Sequence, residues 1–271
     1  MSQRQRLREV WRETRTVVEE ERYTVGGRTV ELSEALAAMR AGTRLFLPEE
    51  VRALAAPEGE RETRVEVTGE STLEVLVRLS GSDGLAALNF ASAYNPGGGV
   101  ANGARAQEES LARSSALCAS LTGCPDFYDH HRATPGRIFS DRVIHSPGVP
   151  VFRDDRGGWL PEPVTADFLT CAAPNRRKVE QEGTGEEHRI VDVLTRRARG
   201  VLAVAADRGA VTLVLGAWGC GVFGNRPAEV AAAFAEPLRG EFAGVFAHVV
   251  FAVMDQDDAL RQPFREALGC P

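Results

Sequence analysis

Two glycine-rich runs and a pair of adjacent carboxylates hold most of the chemistry in this 271-residue chain. The first run reads Asn95-Pro96-Gly97-Gly98-Gly99-Val100 and is followed shortly by Gln107-Glu108-Glu109; the second reads Gly219-Cys220-Gly221-Val222-Phe223-Gly224-Asn225. Consecutive glycines adopt φ > 0 readily and let backbone approach a ligand, and their successive N–H groups form concave anion sites beside a helix start. Phosphate is the natural guest. A lone Gly-Gly-Gly is more often a plain turn, and acids in a first helical turn already favour the macrodipole by about 0.3–1 kcal/mol each. Two such loops in one chain shift the balance toward a binding site, beside which Glu108 and Glu109 offer general acid–base chemistry. Neither the Gly-Lys-Ser/Thr of a nucleotide-hydrolase loop nor the Gly-x-Gly-x-x-Gly of a dinucleotide site is present.

The elements that would carry these loops alternate. Apolar strands are expected at Arg64–Thr68, Ala86–Phe90, Arg142–Ser146, Phe168–Ala172, Val211–Gly216 and His248–Val253. Helices are expected at about Gln107–Leu121, Glu186–Ala206, Pro227–Leu238 and Asp257–Leu268. Ser71 and Glu74 have capping-box spacing before another helix. Strands alternating with helices call for a sheet covered on both faces, and ligands bind such sheets at the carboxyl ends of the strands. Ahead of this, Leu7, Val10, Trp11, Thr14, Val17 and Val18 mark an amphipathic helix over residues 3–20. A second helix is expected after a Ser33 cap, running to a Gly42 break and a Pro48-Glu49-Glu50 turn. Roughly residues 1–45 therefore read as a helical accessory region and roughly 46–271 as the core of a single domain.

Composition bounds the rest. Apolar residues make up 43% and charged residues 26%, as in ordinary globular domains, and the net charge of −6 has the wrong sign for broad capture of nucleic acid. No apolar run reaches the roughly 20 residues of a membrane span, and the charged amino terminus lacks a secretory pattern, so a cytoplasmic location is expected. Five cysteines without a Cys-x-x-Cys pair argue against disulfides or a zinc ribbon. Tyr128-Asp129-His130-His131 is read as a solvated loop rather than a metal site. Arg176-Arg177-Lys178 and Arg196-Arg197 are read as solvated faces, and Cys220 as a small residue that fits, not a nucleophile.

The Gly97-Gly98-Gly99 run, its short spacer and Gln107-Glu108-Glu109 resemble the signature of bacterial-type poly(ADP-ribose) glycohydrolases. Gly219–Asn225 is similar to that family's diphosphate loop, and Cys171-Ala172-Ala173-Pro174-Asn175 to its strand end beside the site; the resemblance covers roughly residues 20–270. It implies a macrodomain-like three-layer α/β/α sandwich with a mixed sheet and an N-terminal helical extension. It implies hydrolysis of ribose–ribose O-glycosidic bonds of poly(ADP-ribose), with ADP-ribose released. By the same resemblance Glu109 is catalytic, Glu108 helps to hold the ribose, and Gln107 supports both. Gly97, Gly98, Gly99 and Val100 would embrace the diphosphate with Gly219, Cys220, Gly221, Val222 and Phe223. Phe223 would also touch the adjoining ribose or adenine, and Asn95 and Asn225 would join the ligand-binding set. No metal or cofactor is implied; the partner is poly(ADP-ribose) or ADP-ribose, including chains on modified proteins, with no membrane and no direct DNA contact.

Glycoside hydrolysis needs a proton for the leaving oxygen and then a base for water, a service usually split between carboxyls about 5–9.5 Å apart. Neighbours about 100° apart on a helix do not flank one bond, which suggests that Glu109 serves as acid and then base, with the substrate's own diphosphate steadying the cationic sugar. The rival readings are a non-catalytic ADP-ribose reader and a related hydrolase of mono-ADP-ribosyl or acyl-ADP-ribose substrates.

Overall fold

The computed structural model describes residues 2–255 and 258–270. Helix α1 (Gln3–Glu20) starts at a reciprocal Ser2–Gln5 capping box. The hairpin β1 (Arg22–Val25) and β2 (Arg28–Glu31) follows, then α2 (Ser33–Gly42), a short strand β3 (Arg44–Phe46) and α3 (Pro48–Ala53). The main body continues through β4 (Arg64–Thr68), α4 (Thr72–Arg78), β5 (Leu85–Phe90), α5 (Gln107–Ser114), α6 (Leu117–Thr122) and α7 (Pro125–Ala133). Two long strands, β6 (Val143–Arg153) and β7 (Trp159–Cys171), lead to α8 (Arg176–Glu182), α9 (Ile190–Asp207), β8 (Thr212–Gly216), α10 (Pro227–Arg239), β9 (His248–Ala252) and α11 (Arg261–Leu268).

Seven strands form one mixed sheet in the order β3-β6-β7-β5-β8-β9-β4. Pairing is antiparallel from β3 through β7 and parallel from β7 to β4. Alternate side chains of each strand go to opposite faces: Leu213 and Leu215 pack beneath α3, α9, α10 and α11, whereas Val214 packs beneath α2, α4, α5 and α7. The result is the expected α/β/α sandwich. β5 lies at its middle and is apolar almost throughout, as a strand covered on both faces must be.

Several local expectations are corrected. Ser33 lies inside α2, whose cap is Leu32 with no side-chain bond. The Pro48-Glu49-Glu50 segment begins a helix, with Pro48 at its first position, where the missing N–H costs nothing. The helix expected over Gln107–Leu121 is two helices. Ser115 is extended between them (φ −148°, ψ 176°) and bridges Val151 of β6, while the N–H of Ala116 donates to Pro150 O at 3.1 Å. Asp257, the expected start of the last helix, lies outside the described residues, and α11 begins at Arg261. The Tyr128–His131 segment belongs to α7 with Tyr128 and His131 buried.

Arg176 and Arg197 are buried too. Arg197 donates to Asp141 Oδ1 (2.8 Å), Ala172 O (2.8 Å) and Ile138 O (2.7 Å), and Arg176 pairs with Glu229. A guanidinium presents five donors in a fixed fork, and Arg197 uses them to join α9 to two loop carbonyls.

Candidate active site

β5 pairs with β8 only over Leu85–Ala87, and beyond Ala87 the two strands separate. The side chain of Gln107 takes over the vacated positions. Its Oε1 accepts from the N–H of Phe90 (2.9 Å), and its Nε2 donates to Leu88 O (2.7 Å) and to Thr72 Oγ1 (3.1 Å). One amide thus fixes the first turn of α5 to the central strand and to the start of α4.

The two acids that follow are buried, Glu108 at 3% exposure and Glu109 at 8%. Glu108 Oε2 accepts from the N–H of Ser92 at 2.7 Å, and Asn89 Nδ2 approaches Oε1 at 3.4 Å while also donating to Thr170 Oγ1 at 3.2 Å. Burial pushes the Glu108 carboxyl up to about 8, with the neighbouring Glu109 charge adding to the rise and the Ser92 bond opposing it. Burial thus favours the neutral form of Glu108, which lies beside Asn89 Oδ1, a buried acceptor without a partner. Glu109 Oε1 accepts from the N–H of Gly99 at 2.8 Å, whereas its Oε2 is buried without a partner.

These bonds redefine the first glycine loop. The N–H of Gly97 supports Glu108, that of Gly99 holds Glu109, and those of Gly98 and Val100 close turns onto Asn95 O and Gly97 O. Two of its four N–H groups are thus engaged by the chain's own carboxyl groups. Gly97 and Gly98 have φ of +70° and +59°, and a Cβ on Gly98 would collide with Glu109 Oε1 and lie 2.9 Å from Glu108 Oε2.

The second loop is differently engaged. Gly219 (φ +72°) and Gly224 (φ +72°) turn the chain, and Cys220 and Asn225 N–H close internal turns. Among the described residues, no chain acceptor is found for the N–H groups of Gly221, Val222 and Phe223. Asn225 does not face the ligand space. It is buried, donates to Pro174 O at 2.9 Å, and braces the loop from behind. Asn95 is exposed on the outer side of the first loop. Burial pushes the Cys220 thiol up to about 12, which makes it a poor nucleophile.

A cavity of about 580 Å3 opens at the carboxyl ends of β5, β8 and β9. Phe90, Ala217 and Ala252 form its floor, Ser71, Gln107 and Arg105 one wall, and Gly219–Phe223 the other. Neither Glu108 nor Glu109 lines it; both lie beneath the first glycine loop. Phe223 is supported from outside the loop. Its ring lies 6.2 Å from that of Phe139, which packs edge-on against Tyr94 (5.6 Å) and His131 (5.8 Å). Phe139 has φ +63°, a conformation that strains a bulky residue and concentrates at functional sites. Sequence reading missed Phe139, because nothing in its type or spacing signals a left-handed backbone.

Residues 12–154, which contain the first glycine loop and both acids, match the family described as microbial-type PARG, catalytic domain. The crystal structure of poly(ADP-ribose) glycohydrolase (PARG) from Thermomonospora curvata is 49% identical over 98% of this chain and 99% of that one, with a TM-score of 0.90. The chain belongs to the microbial-type poly(ADP-ribose) glycohydrolase family. A second structure of the Thermomonospora enzyme, bound to the inhibitor ADP-HPD, is 50% identical with a TM-score of 0.89 over 98% and 99% of the two chains. The family member from Deinococcus radiodurans, in complex with ADP-ribose, is 46% identical over 88% of this chain and 98% of that one, with a TM-score of 0.82. No curated protein sequence matches the chain. Membership in this family agrees with the macrodomain-like sandwich and its N-terminal helical extension, and no described helix is long and apolar enough to cross a membrane.

Proposed function

We propose that this protein hydrolyses the ribose–ribose O-glycosidic bonds of poly(ADP-ribose) and releases ADP-ribose, with Glu109 as acid and then base. The observation that carries the assignment of Glu109 is its asymmetry. One oxygen is anchored by Gly99 N–H, and the other is buried with no partner in the chain. A buried polar atom without a partner costs about 1–3 kcal/mol, and substrate supplies the partner. Once substrate covers the site and Glu109 has taken up a proton, Oε2 gives that proton to the leaving 2′ oxygen as the C1″–O bond breaks, then takes one back from the water that attacks the oxocarbenium-like sugar. Atoms and charge balance over the two steps, and Glu109 ends as it began.

Glu108, whose neutral form burial favours, donates to a hydroxyl of the same ribose, and Gln107 fixes both acids by holding the first turn of α5. The second loop holds the diphosphate through the N–H groups of Gly221, Val222 and Phe223, and the cavity wall of Phe223 packs on the adjoining ribose or adenine. Gly219, Cys220 and Asn225 shape that loop; Gly97, Gly98, Gly99 and Val100 shape the other. The whole chain acts as a single catalytic domain in the cytoplasm, with roughly its first 45 residues as an accessory region, and it uses no cofactor.

The test is incubation of the protein and of Glu109→Gln with labelled poly(ADP-ribose), following released ADP-ribose. Release by the wild type and a fall of roughly 10²–10⁴-fold in the variant, with ADP-ribose still bound, supports the reading. Equal release by both removes Glu109 from the mechanism. Binding without release by the wild type makes the protein a reader.

A further inference from the structure

The arginines of this chain are mostly paired: Arg78, Arg137, Arg153, Arg176, Arg197 and Arg199 each meet a carboxylate within 3.3 Å or less. Four that are not lie together. Arg4, Arg6, Arg105 and Arg156 are exposed, and none forms an ion pair with a carboxylate among the described residues. The first turns of α1 collect them. Arg4 Nε donates to Asn102 O (2.9 Å), Arg105 Nη1 to Gln3 Oε1 (3.1 Å), and Arg6 Nη2 to Arg156 O (3.3 Å). No acid stands in the first turn of α1. Of the carboxylates adjoining these arginines in sequence, Asp155 bonds Ser71 Oγ and Asp154 accepts from the N–H groups of Arg156 and Gly158, while Glu9 follows Arg6 by one turn of α1.

The patch adjoins the reacting end of the site. Arg105 lines the cavity. Asn102, which accepts from Arg4, donates its N–H to Gly99 O (2.9 Å), and Gly99 in turn anchors Glu109. The chain segment leaving from the bond at Glu109 carries its own diphosphate a few bonds away. A protein of net charge −6 repels such a polyanion at long range, so retention needs a local cluster of cations, and guanidinium forks match phosphate oxygens two at a time.

We propose that Arg4, Arg6, Arg105 and Arg156 form a docking surface for the diphosphates of the poly(ADP-ribose) chain outside the unit being cleaved. This rests on the proposed function, and binding separates the two. In the Glu109→Gln background, which needs no turnover, fluorescent chains of about 20 units and free ADP-ribose are titrated against protein with and without Arg6→Gln and Arg156→Gln. Arg6 and Arg156 contribute no side chain to the cavity, so the pair is expected to leave ADP-ribose affinity and Tm unchanged. Chain affinity is expected to fall about three- to tenfold, and the slope of log affinity against log salt to shrink by about one, as for one or two lost phosphate contacts. Charge reversal at both positions should weaken chain binding further. Unchanged chain affinity and salt slope would overturn the proposal, as would an equal loss of ADP-ribose affinity. A loss confined to binding of duplex DNA would assign the patch to nucleic acid and overturn it as well. Failure of the wild type to release ADP-ribose bears only on the catalytic reading.

Discussion

Replacing Gly98 with alanine tests how closely the first glycine loop is fitted to the catalytic pair. The new methyl would collide with Glu109 Oε1 and lie 2.9 Å from Glu108 Oε2, where Cβ contacts under 3.0 Å are essentially never found. Glu109 would have to retreat by roughly half an ångström or more, and displacements near 1 Å cost on the order of 100-fold in rate. The backbone adds a second penalty, because φ is +59° and a left-handed L-residue costs about 1–2 kcal/mol. For a chain of this size that is a Tm loss of roughly 2–8 °C. Gly81→Ala separates the two effects: its φ is +82°, but a Cβ there meets nothing within 4 Å. Steady-state release of ADP-ribose and thermal unfolding should show both variants losing stability, Gly98→Ala at least as much as Gly81→Ala, and only Gly98→Ala losing kcat by about two orders of magnitude. Near-normal kcat in Gly98→Ala, or an equal kcat loss in Gly81→Ala, would refute the fitted-loop argument.

Glu108 provides a pH test. Its native carboxyl is pushed up to about 8 from the ordinary 4.5, so between those values the native state holds more proton than the unfolded chain and this group destabilises the fold progressively as pH rises. Urea unfolding at pH 5 and pH 8 should show Glu108→Gln gaining stability over the wild type toward the higher pH; a difference independent of pH would contradict the assignment. Arg197→Ala leaves the carbonyls of Ala172 and Ile138 without their donor and Asp141 with Arg196 alone, and at about 1–3 kcal/mol for each buried acceptor it should cost about 2–6 kcal/mol in chemical denaturation. A loss under 1 kcal/mol would mean that the pair is dispensable. Phe139→Gly relieves the left-handed strain but removes the ring against Phe223, so stability should hold better than in Phe139→Ala while ADP-ribose affinity falls in both. In a Phe223→Ala background the same change should have no further effect on affinity; an independent loss would show that Phe139 acts some other way.

The parallel half of the sheet was readable because its strands are short apolar runs bounded by glycine loops. β4 is predicted over its full observed length, and β5, β8 and β9 to within a residue at each end. The antiparallel half was readable only in part: the strands expected at Arg142–Ser146 and Phe168–Ala172 fall within β6 and β7, but the rest of those strands and β3 were missed. Pro147, Gly148, Pro150, Pro161 and Pro163 imitate loop composition, yet β6 and β7 run through them with register shifts between Ser146 and Val149 and again between Val151 and Arg153. The break between α5 and α6 has the same origin, since the backbone of Ser115 and Ala116 is drawn into contact with β6, a pull that no local propensity encodes. At the candidate site, residue types singled out Gln107, Glu108, Glu109 and both loops, and the fold places the first loop against both acids. What they did not disclose was direction: the N–H groups of Gly97 and Gly99 face inward to Glu108 and Glu109, and the side chain of Asn225 bonds Pro174 O behind its loop. Likewise Arg197 reads as a surface charge until the Asp141 carboxylate and two free carbonyls are placed around it in three dimensions.

The carboxylates of Glu108 and Glu109 are held by the N–H groups of Ser92, Gly97 and Gly99, a donor that every residue except proline carries. Substitution at Ser92 therefore cannot delete the amide that holds Glu108 so long as the incoming residue is not proline; what its hydroxyl adds is an acceptor for the N–H groups of Tyr94 and Asn95 at the start of the loop. The vulnerable quantity is length. One residue inserted or removed between Ser92 and Gly99 shifts which amide meets which oxygen, so the loop should diverge freely in composition at its outward positions while its residue count stays fixed.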